Sequence, residues 1–147
     1  MTDPEGPPRG PRLGTDTIRA ATPLASIIIP TWNGIHHLSA CLDPLRAQTY
    51  SHIEVILVDN GSTDGSQAFV TEHYPEVHLL ALQRNLGLTG GNNVGVDAAG
   101  GEILLSLNND TEAHPRFVEE LVTALIEHAE AGMAAAKMLL FDQRDHI

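Results

Sequence analysis

From Leu24 onward, short apolar runs alternate with stretches of helical period. Residues 26–29 form a β-branched run closed by Pro30. Residues 36–48 place Leu38, Leu42 and Leu45 on one helical face, where Pro44 is expected to break or kink the helix, with Asp43 capping a second short turn. EVILVD, residues 54–59, reads as a second buried strand, and 62–73 as a helix with Ser62 or Thr63 as its N-cap. Residues 77–82 form a third strand. A glycine-rich stretch, 85–95, then leads into a short helix ending near Gly100 and Gly101, and 103–107 form a fourth strand. The clearest helix is 115–130: Phe117, Val118, Leu121, Val122, Leu125 and Ile126 form one stripe, Pro115 suits the first position, and Glu119 and Glu120 favour the dipole. Residues 133–141 are apolar and read as a fifth strand. Strands separated by helices imply a parallel sheet with right-handed crossovers, and their continuous apolar runs imply burial on both faces.

Composition narrows the function classes. The chain has 147 residues, enough for one domain, and is 42% hydrophobic. Residues 1–22 carry four prolines and three glycines without an apolar period, and are expected to be a disordered tail outside a domain spanning 23–147. A net charge of -11 argues against nucleic acid, which needs a basic face, and against docking on anionic lipid. It leaves room for a small phosphate ligand held by helix N-termini and a divalent cation. No apolar run is long enough to span a membrane, and no signal-peptide pattern opens the chain. With the single cysteine Cys41, this sets the expected location as the cytoplasm, including the inner face of a membrane. The eight histidines are scattered and give no zinc spacing; His36, His37, His73 and His78 read as surface residues. Rossmann G-x-G-x-x-G, P-loop and G-x-S-x-G motifs are all absent.

In open α/β sheets, ligands bind at the carboxyl ends of the strands. Four successive strand ends carry polar or glycine-rich turns: 30–34, 59–62, 84–93 and 108–111. Singly, Asn33-Gly34 and Asn60-Gly61 suit plain turns. Gly87, Gly90 and Gly91 serve either close helix packing or a backbone approach to a ligand, and Trp32 either the core or a stacking surface. Four such turns on one edge outline a polar site. Asn108 and Asp110, two apart on an extended segment, point the same way and offer oxygen ligands to a hard cation; the plain alternative is a turn, with Asp110 capping the next helix.

SIIIPTWNG, EVILVDNGSTDGS, NLGLTGGNNVG and LLSLNNDT occur in the order and spacing of family 2 glycosyltransferases. From Leu24 onward the chain resembles the rhamnosyltransferase-like branch, with N-x-G-x-x-G-G-x-N and an Asn-rich D-x-D. The resemblance implies a GT-A (Rossmann-like) α/β fold with strand order 3-2-1-4, a dTDP- or UDP-sugar donor and Mg²⁺ or Mn²⁺. It also implies inverting transfer to a glycan or lipid-linked acceptor. It places Pro30 and Thr31 along the nucleoside, Asp59 on the pyrimidine base, and Asp110 with Asn108 on the metal. Asn33, Asn60, Gly87, Gly90 and Asn93 complete the expected donor site. The catalytic base is expected beyond Ile147, so the chain is expected to be the donor-binding half, C-terminally incomplete and inactive alone. A nucleotide-sugar-binding module without turnover is the alternative. A sugar-1-phosphate nucleotidyltransferase fits less well, because its glycine- and basic-rich loop after the first strand is missing.

Overall fold

The computed structural model describes residues 22–140. The expected tail at 1–21 and the end of the chain from Phe141 lie outside the described residues. Four strands alternate with four helices: β1 (Ala25–Thr31), α1 (Ile35–Arg46), β2 (Ile53–Asp59), α2 (Ser66–His73), β3 (His78–Ala81), α3 (Gly87–Ala98), β4 (Ile103–Ser106) and α4 (Phe117–Glu127). They form one parallel sheet in the order β3-β2-β1-β4, as the resemblance implies. The register pairs Thr31 with Asp59 and Asp59 with Ala81, so the polar turns that follow all emerge at one edge. Among the described residues no helix is long and apolar enough to cross a membrane.

Strand alternation divides the core in two. Ala25, Ile27 and Ile29 of β1 and Leu57 of β2 face one side. There they meet Leu38, Leu42 and Leu45 of α1, Val70 of α2 and Val118 and Val122 of α4. Ile28, Ile56 and Val58 face the other side, against Val94 of α3. Helix α3 lies close because Gly91 and Gly95 carry no side chain. A Cβ on Gly95 would fall 2.3 Å from Ile28 Cγ2, and one on Gly91 would fall 2.7 Å from the Asn60 amide nitrogen. The glycine stretch therefore lies within the helix rather than leading into it. Glycine's poor helix propensity is overridden by the close approach it permits.

Four further expectations are corrected. Pro44 sits inside α1 without ending it, although it has no N–H to give the Ala40 carbonyl, and the helix closes two residues later at Arg46. Helix α2 starts at Ser66, not 62; Gly65, with φ of 92°, is the residue before it, and Ser62 and Thr63 belong to the preceding loop. Helix α4 starts at Phe117 after Arg116, so neither Pro115 nor Asp110 opens or caps it. Residues 133–140 form no strand of the sheet. Met133 is 83% exposed, and an apolar groove of about 820 Å³, lined by Leu104, Leu121, Leu125, Met133 and Met138, separates this segment from β4.

The amino end of the sheet is tied by a polar cluster. The Ser26 hydroxyl donates to Glu54 Oε1 at 2.5 Å, the Gly100 N–H donates to the same oxygen at 2.7 Å, and the Gly101 N–H donates to Ser26 Oγ at 2.9 Å. The Ser26 hydrogen bond, against a smaller opposing effect of burial, holds the Glu54 carboxyl below its ordinary range.

Candidate functional site at the carboxyl edge of the sheet

The loops after β1 and β2 are stitched to each other. Asn33, the only described non-glycine residue with positive φ (50°), donates its N–H to Ser62 Oγ, and its own Oδ1 accepts from the Thr63 N–H, both at 2.8 Å. The Ile35 N–H, at the start of α1, donates to Asp64 Oδ2 at 3.0 Å, and Asp64 Oδ1 accepts from the Ser66 N–H and hydroxyl. Burial pushes the Asp64 carboxyl up, but the Ser66 hydroxyl and the two N–H groups outweigh it and hold the carboxyl below its ordinary range. Asn33, expected at the donor, thus spends both its backbone and its amide on this clasp.

The clasp encloses Asp59, which is 0% exposed. Asp59 Oδ2 accepts from the Gln67 Nε2 at 2.5 Å and from the Ser62 N–H at 3.1 Å. Oδ1 is buried without a hydrogen-bond partner among the described residues. A buried carboxylate oxygen with nothing to accept from costs free energy, and such exceptions call for an explanation. Trp32, one residue past β1, is 57% exposed and so belongs to a surface, not the core.

The turn after β4 faces the same edge. Asn109 points inward, its Nδ2 donating to Thr31 Oγ1 at 2.8 Å. A Cβ on Gly34 would fall 2.2 Å from that amide nitrogen, so glycine there leaves the slot in which Asn109 sits. Asn108 and Asp110 are exposed on either side, but in a turn closed by the Thr111 N–H donating to the Asn108 carbonyl at 3.2 Å rather than on the extended segment expected of them. Cys41 lies beneath, its Sγ 3.7 Å from the Asn108 carbonyl oxygen. Burial, and then the Asp110 carboxylate, push its thiol up to about 12, which makes it inert as a nucleophile. Among the described residues no three His, Cys, Asp or Glu side chains converge on a metal position. The donors present, one exposed carboxylate and one amide, do not fit an all-protein cage. They fit a hard cation that takes its other ligands from phosphate and water.

The remaining expected residues divide. Asn60 is buried and holds the start of α3, accepting from the Leu86 N–H at 3.3 Å and donating to the Gly87 carbonyl at 3.4 Å. Pro30 is buried against Gly91. Gly87, with φ of 73°, has open space where a Cβ would be, and a Cβ on Gly90 would meet only Leu86 of its own turn. Asn93 is exposed further along α3, while its neighbour Asn92 accepts from the Ser106 hydroxyl at 2.9 Å. Thr31, Asp59, Asn108 and Asp110 are therefore brought to one edge, and Asn33 and Asn60 serve as its braces. Gln67 and Asn109 were not expected. Their signal was positional, since Gln67 follows directly on the Gly65-Ser66 helix start and Asn109 lies between two outward residues.

A parallel sheet whose order reverses between β1 and β4, with polar turns meeting at that reversal, places this chain among the open α/β proteins that bind ligands at the carboxyl ends of their strands. The chain matches Glycosyl transferase family 2 over residues 26–145 and belongs to that family. It is 34% identical over 105 residues to the glycosyltransferase YibD of Escherichia coli strain K12, covering 69% of this chain and 30% of that protein. It is 30% identical over 122 residues to the glycosyltransferase GlyA of Streptococcus pneumoniae serotype 4, covering 82% and 17%. The chain thus spans less than a third of either relative. Among solved structures it resembles the mannosyltransferase PcManGT from Pyrobaculum calidifontis in complex with GDP-Man and Mn2+. The TM-score is 0.63 at 27% identity, over 76% of this chain and 34% of that one. S. aureus TarS, at TM-score 0.65 and 22% identity over 82% and 43%, shares the GT-A fold.

Proposed function

We propose that this chain is the donor-binding part of an inverting family 2 glycosyltransferase that takes a uridine- or thymidine-diphospho-sugar. The acceptor class that goes with this reading is a glycan or lipid-linked sugar, and the rhamnosyltransferase-like branch remains the sequence's own pointer to the sugar. The observation that carries the donor reading is the partnerless Oδ1 of buried Asp59 at a strand end, beside exposed Trp32. Uracil and thymine present one N–H donor between two carbonyls, which a single free carboxylate oxygen satisfies, and an indole face offers a stacking surface for the ring.

The acidic chain repels a diphosphate, so a cation is part of the reading. Asp110 would hold Mg²⁺ or Mn²⁺ together with donor phosphate oxygens, with Asn108 as a weaker neutral partner. When bound, such a cation neutralises the charge that grows on the leaving diphosphate. The Mn2+ in the P. calidifontis structure supports a cation in this family, while its guanosine base differs from the one proposed here. Thr31 and Asn109 fix the distance between the β1 and β4 turns, and hence between base and phosphate ends of the site.

Titration calorimetry of UDP, dTDP and GDP into the chain, with Mn²⁺ and with excess chelator, tests the reading. Binding of UDP and dTDP that requires the cation is expected. Equal binding in chelator would remove the metal from the account, and no binding of any nucleotide would remove the donor site.

A further inference from the structure

The head group of residue 59 is held by two donors and no acceptor. The Ser62 N–H and the Gln67 Nε2 both point at Oδ2, at 3.1 Å and 2.5 Å, and Oδ1 is left buried and partnerless. Gln67 lies in the first turn of α2, set there by the Gly65 break and by Asp64, which accepts from the Ser66 N–H at 3.0 Å. A carboxylate is symmetric, so its two oxygens are chemically alike. The surroundings are not symmetric, and they decide which oxygen is free.

We propose that Gln67, with the Ser62 N–H, is the specificity-positioning element of this site. By occupying Oδ2 it leaves residue 59 with a single unpartnered atom, Oδ1, and fixes the hydrogen-bond polarity with which the site reads a base. This rests on the nucleotide reading above. With aspartate at 59 the unpartnered atom is an acceptor, and it selects the N3–H of uracil or thymine. Cytosine presents a bare N3 acceptor there and meets repulsion. Guanine presents two adjacent donors, N1–H and the N2 amino group, and finds only one oxygen available. Buried polar groups left unpaired are what make such discrimination steep.

The polarity has a sharp consequence for Asp59→Asn. An amide can satisfy the Ser62 and Gln67 donors only by turning its oxygen toward them. Its NH₂ group must then occupy the place of Oδ1, as a donor. The substitution should therefore reverse the base preference rather than merely weaken it.

Binding of UDP, CDP and GDP is measured by calorimetry on the full 147-residue chain in excess Mg²⁺, with circular dichroism to confirm folding. The unaltered chain should prefer UDP over CDP by about tenfold or more, the scale of one buried donor or acceptor left unpaired. Asp59→Asn should invert that ratio so that CDP binds tighter. Adding Gln67→Leu to Asp59→Asn should shrink the inversion, because the amide is no longer held in one orientation. If Asp59→Asn does not fold, Gln67→Leu alone decides: it leaves Oδ2 with the Ser62 N–H as its one partner and lone-pair capacity to spare, and should raise GDP binding relative to UDP several-fold, on the same scale. UDP binding whose base ratios do not respond in this way to Asp59→Asn, or to Gln67→Leu where that variant decides, would overturn the role of Gln67 and leave the nucleotide site standing. Absence of UDP binding by the unaltered chain would overturn the nucleotide reading and this inference with it.

Discussion

Strand β2 carries an acidic residue toward each end; each accepts two hydrogen bonds on one oxygen, but only Asp59 has its second oxygen buried. Glu54, toward the amino edge, bonds the Ser26 hydroxyl and the Gly100 N–H and joins β1, β2 and the α3–β4 connection. Asp59, at the carboxyl edge, is more deeply buried, yet one of its oxygens has no partner among the described residues. A half-buried carboxylate such as Glu54 can leave its second oxygen to solvent at little cost. Leaving one oxygen open in a buried place costs stability and keeps its hydrogen-bonding capacity for a ligand. The loops divide in a similar way: the side chains of Asn33, Asn60, Asp64 and Asn109 each bond a backbone or hydroxyl partner elsewhere in the fold, while Asn108 and Asp110 stand exposed.

Substitutions at the two ends should separate accordingly. The largest stability effect is expected from Glu54→Leu, which strips charge-assisted hydrogen bonds worth about 1.5–3 kcal/mol. Chemical denaturation should show that loss, with nucleotide affinity unchanged once the chain is folded. The acid response follows from the same residue. A carboxyl whose folded pKa is depressed stabilises the fold above its unfolded pKa, and the contribution fades as pH falls through the folded value. The melting temperatures of the native chain and Glu54→Gln should therefore converge as pH drops from about 5 toward about 3. At the other end, Asp110→Asn should leave stability unchanged and remove roughly tenfold of the cation-dependent nucleotide affinity, about 1.4 kcal/mol, as read by calorimetry with and without chelator. Asn109→Ala should cost about 0.5–1.5 kcal/mol of stability through its bond to Thr31. The smallest stability effect among the structural contacts is expected for Arg46→Ala, a barely measurable shift in melting temperature, since its ion pair with Glu76 is at the surface.

The sheet was legible because its strands are continuous apolar runs, and a buried parallel strand leaves little else for such a run to be. Asp59 and the Asn108–Asp110 turn were legible for the same reason, as the first polar residues after those runs. Helix starts were less so. Ser62 and Thr63 have capping chemistry, but in the fold they answer to Asn33, a residue distant in sequence. Gln67 was invisible because its role depends on where α2 begins. The glycines of α3 were misread because propensity is local, whereas the approach of Gly95 to Ile28 is tertiary. Residues 133–140 have a strand's composition, but composition does not supply a neighbouring ladder, and Met133, Met138, Leu139 and Leu140 stay exposed.

The contrast between the two carboxylates meets its most direct test in one variant measured two ways. Asp59→Ala removes a buried charge that the fold leaves half-satisfied and the ligand is held to complete. UDP affinity in Mg²⁺ should fall by about 1.5–3 kcal/mol, the scale of a charge-assisted hydrogen bond, while the melting temperature falls only modestly, through the two donors left unpaired. Unchanged affinity together with a large drop in melting temperature would show that Asp59 serves the fold as Glu54 does, and would contradict the account.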